Sequence, residues 1–340
     1  MISSQHMSNT PITTTTGKKV LVSGIKSTGR PHIGNYFGAM KQYVEMQHEY
    51  DTRIFIADLH SLTSVQNGSE LAQATLDLAI DYIAIGLDPE KVTIFKQSDL
   101  PEVTELGWIF NCITTMPYLM RAHSFKDAEA KNKEINVGVF DYPMLMAADI
   151  LIHNADIVPV GKDQKQHVEF ARDTAEKFNR IFRGDGKSCE PENALFKLPD
   201  VHIIESVETV PGIDGQKMSK SYNNHIPLFS TDEELKKLVM SIVTDSNGGK
   251  PMNVYNMHKL FRDETYLEKL YTKNEGKYKI LKEALLEDMI AFIKPLREKR
   301  EQIAKDPDKV RNILARNGAL MREKTHALMY EVRKATGLIV

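Results

Sequence analysis

Along the first two-thirds of the chain, apolar residues fall into short continuous runs, separated by longer stretches with helical spacing. Four runs are rich in Val, Ile or Phe and bounded by polar or turn residues: 20-VLVSG-24, 53-RIFIAD-58, 92-VTIFKQS-98 and 156-DIVPV-160. Such runs suit strands buried on both faces of a parallel sheet. Between them, residues 34–50 place Phe37, Met40, Val44 and Met46 or Gln47 on one helical face. Residues 69–86 read as a second helix, with Ser69 capping its start and Gly86 its end. Strand alternating with helix predicts an α/β fold, a Rossmann-like parallel sheet with helices on both faces.

After about residue 225 the pattern changes. Segments 232–243 and 279–304 are helical and charged, and strand signals stop. This predicts a sheet-containing domain over 18–224 and an all-helical domain over 225–340. The last segment, 308–337, reads as one long amphipathic helix interrupted near Asn317-Gly318 and packing back on the first domain. Residues 1–17 are polar and low in complexity, with a second methionine, Met7, behind a Ser- and His-containing leader. They lack the basic-then-apolar order of a signal segment. A loose leader or tag remnant outside the fold is expected there.

Composition adjusts this picture little. The chain has 340 residues, 41% of them hydrophobic, and a formal charge of -2. A near-neutral balance advertises no DNA partner, so any RNA contact must be local and shape-based. The two cysteines, Cys112 and Cys189, are far apart and form no metal-ligand spacing. No apolar run approaches membrane-spanning length. A cytoplasmic protein with no membrane partner and no protein-held metal is expected.

In an open parallel sheet, ligands bind beyond the carboxyl ends of the strands. The four runs are followed by 24-GIKSTGRPHIGN-35, 58-DLHSLT-63, 97-QSD-99 and 161-GKDQKQH-167. Glycine, hydroxyl, amide, His and Asp residues therefore converge at one edge of the sheet. Gly24 and Gly29 permit close backbone approach. Gly34-Asn35 opens a helix whose free N–H groups attract phosphate, with His32 and Thr28 as further donors. A plain strand-to-helix turn explains the bare glycines equally well. The spacing is not that of a P-loop. A second cluster, 215-GQKMSKSYNN-224, carries Lys217 and Lys220 on a glycine-bearing loop that could close over a polyphosphate. Taken alone, it reads as a solvated basic loop.

Together, 32-HIGN-35 and 217-KMSKS-221 resemble the paired signatures of class I aminoacyl-tRNA synthetases. The segments 142-YPMLMAADIL-151, 157–179 and 244-TDS-246 resemble the bacterial-type tryptophanyl-tRNA synthetases. The resemblance covers nearly all of residues 18–340 and is weakest over 183–210 and in the helical half. It implies activation of L-tryptophan by ATP with Mg²⁺, then transfer to tRNA(Trp), in a homodimer.

The resemblance also implies site residues. His32, Gly34 and Asn35 would hold ATP at the helix start, and Lys26, Ser27 and Thr28 would line its phosphates. Gly161, Lys162 and Asp163 would meet the ribose, and Val210 the adenine. Lys217, Met218, Ser219, Lys220 and Ser221 would form the loop on the pyrophosphate portion. His32, Asn35, Lys217 and Lys220 would carry the catalysis. Asp149 would accept the indole N–H beside Met146, which lies three residues away on the same helix face. Tyr142 and Gln164 would bind the α-amino group. His60, Gly24, Val22, Val158 and Val160 would line the pocket. Pro143 suits the first turn of that helix. Without the resemblance, Asp149 reads as a structural carboxylate, His60 as a structural histidine and the valines as core.

Three departures stand out. Lys26-Ser27 occupies the place of a common Gln-Pro, Lys162 replaces an acidic residue, and Val22 sits where an aromatic is frequent. The alternatives are a tyrosyl-tRNA synthetase, a nucleotidyltransferase acting without tRNA, and a non-enzymatic RNA-binding paralogue. One Asp in an apolar helix suits an indole, which has a single donor, better than a phenol. The intact lysine loop and the long helical half argue against the second, and intact His32, Lys217, Lys220 and Asp149 against the third. In that half, Arg297, Lys299 and Arg300 are anticodon candidates by charge alone, though a solvated helix face explains any one of them.

Overall fold

The computed structural model describes residues 17–130, 135–161, 164–203, 210–244 and 249–339. The expectations for Lys162, Asp163 and the leader before Gly17 lie outside the described residues. Strand β1 (Val20–Ile25) leads into α1 (Ile33–Asn35), a π-helical turn (Tyr36–Met40) and α2 (Lys41–Met46). β2 (Asp51–Ile56) is followed by α3 (Asp58–Ser61) and α4 (Gly68–Ala84). After β3 (Thr93–Lys96) come α5 (Glu102–Ile113), α6 (Met116–Leu119), α7 (His123–Ala130) and α8 (Val137–Leu151). β4 (Ile157–Val160), α9 (Lys165–Phe182) and β5 (Asp200–Ile203) complete the sheet. The remaining helices are α10 (Asp232–Met240), α11 (Met252–His258), α12 (Glu264–Lys273), α13 (Tyr278–Ala304) and α14 (Pro307–Ala335).

All strand pairs are parallel, in the order β3-β2-β1-β4-β5. The strand pleat splits the apolar runs between two cores. Leu21, Ile54, Ile56 and Ile94 face one core, and Val20, Val22, Phe55, Phe95, Val158 and Val160 face the other. The first core runs on into the helical half through Leu235, Val239, Leu281, Leu285, Met289 and Ile293. Helix α14 packs on β3 and α4, as its amphipathic pattern predicts.

Five local expectations change. β5 escapes the sequence because DVHI is exposed or half-buried and forms no apolar run. The helix expected over 34–50 ends at Met46, since Asp51 is drawn into β2 by its N–H bond to Lys19 O at 3.0 Å. Asn67, not Ser69, caps α4: its Oδ1 accepts the N–H groups of Ser69 and Glu70. Gly86 does follow that helix, at φ +116°. Pro143 lies inside α8 rather than in its first turn. The helix starts at Val137 under an Asn136 cap, and packing on α5 and α9 carries it through the proline. α14 is unbroken at Asn317-Gly318. Asn317 Nδ2 donates to Ile94 O at 3.0 Å, and a Cβ on Gly318 would fall 2.6 Å from Asp99. That glycine allows close packing on the sheet edge and does not end the helix.

Candidate active site

The strand order reverses between β1 and β4, so the connections leaving their carboxyl ends diverge and open a crevice. His32 caps the helix at its mouth. Asn35 N–H donates to His32 Nδ1 at 3.2 Å, and His32 N–H donates to Asn35 Oδ1 at 3.0 Å. Because Nδ1 accepts, the proton of the neutral ring sits on Nε2. Burial, with Lys220 and His225 nearby, holds the His32 pKa down to about 4. At neutral pH His32 is thus an uncharged donor. A Cβ on Gly34 would fall 2.9 Å from Nδ1, so glycine leaves room for this cap.

The lysine loop is stapled to the same turn. Ile33 N–H donates to Ile226 O at 3.0 Å and Leu228 N–H to Pro31 O at 2.9 Å. Met218 N–H donates to Val210 O at 2.9 Å, and both side chains are buried in the first core. Asn224 holds the loop from within: Oδ1 accepts Ser219 N–H at 2.7 Å, while Nδ2 donates to Asp214 and to Lys217 O. Lys220 Nζ reaches Thr28 O at 2.7 Å, joining residues 192 apart in sequence. A cleft of about 230 Å³ results, bordered by Lys26, Thr28, His32, Asn35, Ser219 and Lys220. Lys217 and Ser221 are exposed at its rim. Gly161 is half-buried at the end of β4 and accepts Gln164 N–H at 2.9 Å.

Two residues beside the cleft behave differently from expectation. The Ser27 hydroxyl points inward, 3.1 Å from both Ser61 Oγ and Thr75 Oγ1, and Ser27 N–H donates to Ser61 Oγ at 2.9 Å. A proline could not make that last bond. Gly24 approaches the Phe55 ring: a Cβ there would fall 2.5 Å from it. Lys26 is exposed as a residue, yet partial burial of its ammonium lowers its pKa. Its Nζ lies 3.4 Å from Thr63 Oγ1 and 5.5 Å from the centre of the Tyr142 ring.

From Tyr142 the polar groups run inward. Tyr142 hydroxyl meets His167 Nε2 at 2.9 Å, and its ring sits edge-on to His60. His60 Nε2 lies 2.9 Å from Asp149 Oδ2, and Gln97 Nε2 donates to Asp149 Oδ1 at 2.9 Å and Oδ2 at 2.8 Å. Burial pushes the Asp149 carboxyl above the usual range, against the pull of His60 and Gln97. A carboxylate offers about four acceptor positions. These contacts use three, which leaves one on Oδ1. Met146 is half-buried against the second core, and Val22, Val158 and Val160 lie within it. Gln164 is exposed. Sequence reasoning missed Gln97 as an Asp149 partner and assigned Asn224 and His225 no role. The only signal for Gln97 was its place after β3.

The basic residues of α13 are engaged elsewhere. Arg297 binds Ser230 O and Asp232, and Arg300 binds Asp77 and the buried Asp81 of α4. Arg300 ties the helical half to the sheet half, Arg297 ties α13 to the start of α10, and the charge of neither is free for RNA. Lys299 is exposed.

Residues 14–300 match the model of the tRNA synthetases class I (W and Y). The chain is 44% identical over 327 residues to the tryptophan–tRNA ligase of Fusobacterium nucleatum, covering 94% of this chain and 98% of that protein. It is 41% identical to that of Rhodopirellula baltica, covering 94% and 99%. Among solved structures, the tryptophanyl-tRNA synthetase of Campylobacter jejuni complexed with ADP and tryptophan superimposes with a TM-score of 0.84. The identity there is 41%, with 94% of this chain and 99% of that chain covered. Strand order, stapled signatures and sequence identity agree, and the chain belongs to the class I tRNA synthetases of the W and Y family.

Proposed function

We propose that this chain is a tryptophan–tRNA ligase. The tryptophan carboxylate oxygen attacks the α-phosphorus of ATP, the bond to the β,γ-phosphates breaks, and pyrophosphate leaves. A terminal ribose hydroxyl of tRNA(Trp) then displaces AMP from the tryptophanyl-adenylate. Neither step needs a nucleophilic side chain; positioning and charge stabilisation suffice. His32 Nε2–H donates to a phosphate oxygen. Lys220 exchanges Thr28 O for the leaving pyrophosphate, with Lys217 and Ser219 beside it. Lys26 faces the α-phosphate from the Tyr142 side. Asp149 accepts the indole N–H on its remaining Oδ1 position, while Tyr142 and Gln164 receive the α-amino group. Gly161 meets the ribose, and Lys162 and Asp163 are assigned there by resemblance alone.

Among the described residues, none of those bordering the phosphate cleft is a carboxylate. Among the described residues, no group of three or more His, Cys, Asp or Glu could hold a metal. The described residues therefore offer no cage, and Mg²⁺ would enter on the phosphates of ATP. Trp108 of α5, Met116 of α6 and Val137 of α8 are exposed apolar residues on helices that pack on α8 or belong to it, and such apolar exposure is what supports a homodimer. No helix among the described residues is long and apolar enough to cross a membrane, which is compatible with the cytoplasm.

The observation that carries this reading is the single open acceptor on buried Asp149, linked through His60, Tyr142 and Lys26 to the phosphate cleft. ATP–pyrophosphate exchange with each standard amino acid tests it. Exchange with tryptophan is expected; exchange with tyrosine and not tryptophan sinks the assignment.

A further inference from the structure

The helical half holds a cluster that the activity leaves without a role. His258 of α11 is fully buried. It meets Asp288 Oδ2 of α13 at 2.9 Å through Nε2, and the Tyr271 hydroxyl of α12 at 3.2 Å through Nδ1. Asp288 in turn accepts both arms of the Arg262 guanidinium, Nε at 2.9 Å and Nη2 at 2.6 Å. That guanidinium lies over the Tyr266 ring, 5.5 Å from its centre. Exposure climbs along the series, from 0% at His258 and 13% at Asp288 to 50% at Arg262 and 47% at Tyr266.

An exposed arginine ordinarily samples many rotamers, and ordering it on binding costs affinity. Here a core histidine and a bidentate carboxylate hold the fork in one orientation before any partner arrives. The pair it forms with Tyr266 is half-exposed. Along α12 the pattern continues: Tyr266, Lys269 and Lys273 follow at helical spacing on one face, with Arg262 four residues before Tyr266. An arginine plane and an aromatic face recognise an unstacked base, and a row of lysines suits the adjoining phosphates.

We propose that Arg262, Tyr266, Lys269 and Lys273 form a stacking platform for one unpaired base of the bound tRNA. This rests on the tRNA-ligase reading. The test compares Tyr266→Ala and Tyr266→Phe with the parent enzyme. Tyr266→Ala is expected to raise the KM for tRNA about tenfold, the factor for one lost base stack. Its tryptophan-dependent ATP–pyrophosphate exchange and Tm should match the parent, because exchange needs no tRNA. Tyr266→Phe keeps the ring and should behave as the parent. A parental KM in Tyr266→Ala overturns the proposal, as does equal impairment of both variants or a parallel loss of exchange and Tm. Filter binding of unfractionated tRNA by parent and Tyr266→Ala judges the platform apart from the amino acid specificity. Equal binding overturns it; binding weakened about tenfold supports it. Absence of tryptophan exchange in the parent would instead count against the ligase reading.

Discussion

The molecule contains two buried polar regions of opposite character. At the seam between the sheet half and the helical half, and beside it within the helical half, charges close on one another: Arg300 on Asp77 and Asp81, Arg297 on Ser230 O and Asp232. In the interior of the sheet half the polar set stays open. Asp149 keeps an acceptor position, and His60 Nδ1 is buried with no hydrogen-bond partner among the described residues. Buried polar groups are ordinarily satisfied, because an unmade bond in the interior is costly. A closed set therefore points to fold, and an open one to a ligand that completes it. The two regions would be indistinguishable from burial alone, since Asp81 and Asp149 are equally hidden.

Asp149→Ala tests the open region most severely. Tryptophan-dependent exchange should fall by roughly a hundredfold or more, as when a built hydrogen-bonding site loses its partner. Circular dichroism should show a folded protein. An unfolded variant would place Asp149 with the structural charges and collapse the contrast. Arg300→Ala probes the closed region. It strands the buried Asp81 carboxylate, whose pKa is already raised to about 6 by burial against the pull of Arg300. A stability loss of about 3 kcal/mol is expected from thermal or urea unfolding. Exchange per folded molecule should be unchanged; a selective loss of exchange would show that the seam also serves the site.

The smallest effect concerns His32. Its pKa of about 4 lies below that of an unfolded histidine, near 6.5. Between those values the unfolded chain binds more protons, so stability is full above about pH 6.5 and declines as the pH falls towards 4. His32→Asn should flatten that part of the stability profile. An NMR titration of the His32 ring should give a midpoint near 4. A midpoint near 6.5 would mean that the ring is hydrated and the cleft open.

The sheet was legible in the sequence wherever a strand is buried on both faces. Ile54-Phe55-Ile56 must form an apolar run to fill two cores, and β5, exposed at the edge, need not. The two signatures were legible because phosphate chemistry demands particular side chains at particular spacings. Partner choice was not. Nothing local tells that Ser27 turns to Ser61 and Thr75, that Gly24 makes room for Phe55, or that Gln97 holds Asp149. Each partner comes from a different element.

By itself, then, the sequence determined the alternation of strand and helix, the clustering of polar residues at the strand ends, and the two signatures that mark the family. These depend on neighbours within a few residues or on side-chain chemistry that tolerates no substitute. Tertiary structure alone decided which of the described polar groups find partners within the protein and which do not. It turned Arg300 from a candidate RNA contact into a tie between the halves and Arg297 into a tie between α13 and α10, and it set Arg262 over Tyr266. The reason is that hydrogen bonds and ion pairs are satisfied across space, by whichever groups the packed cores bring within about 3 Å.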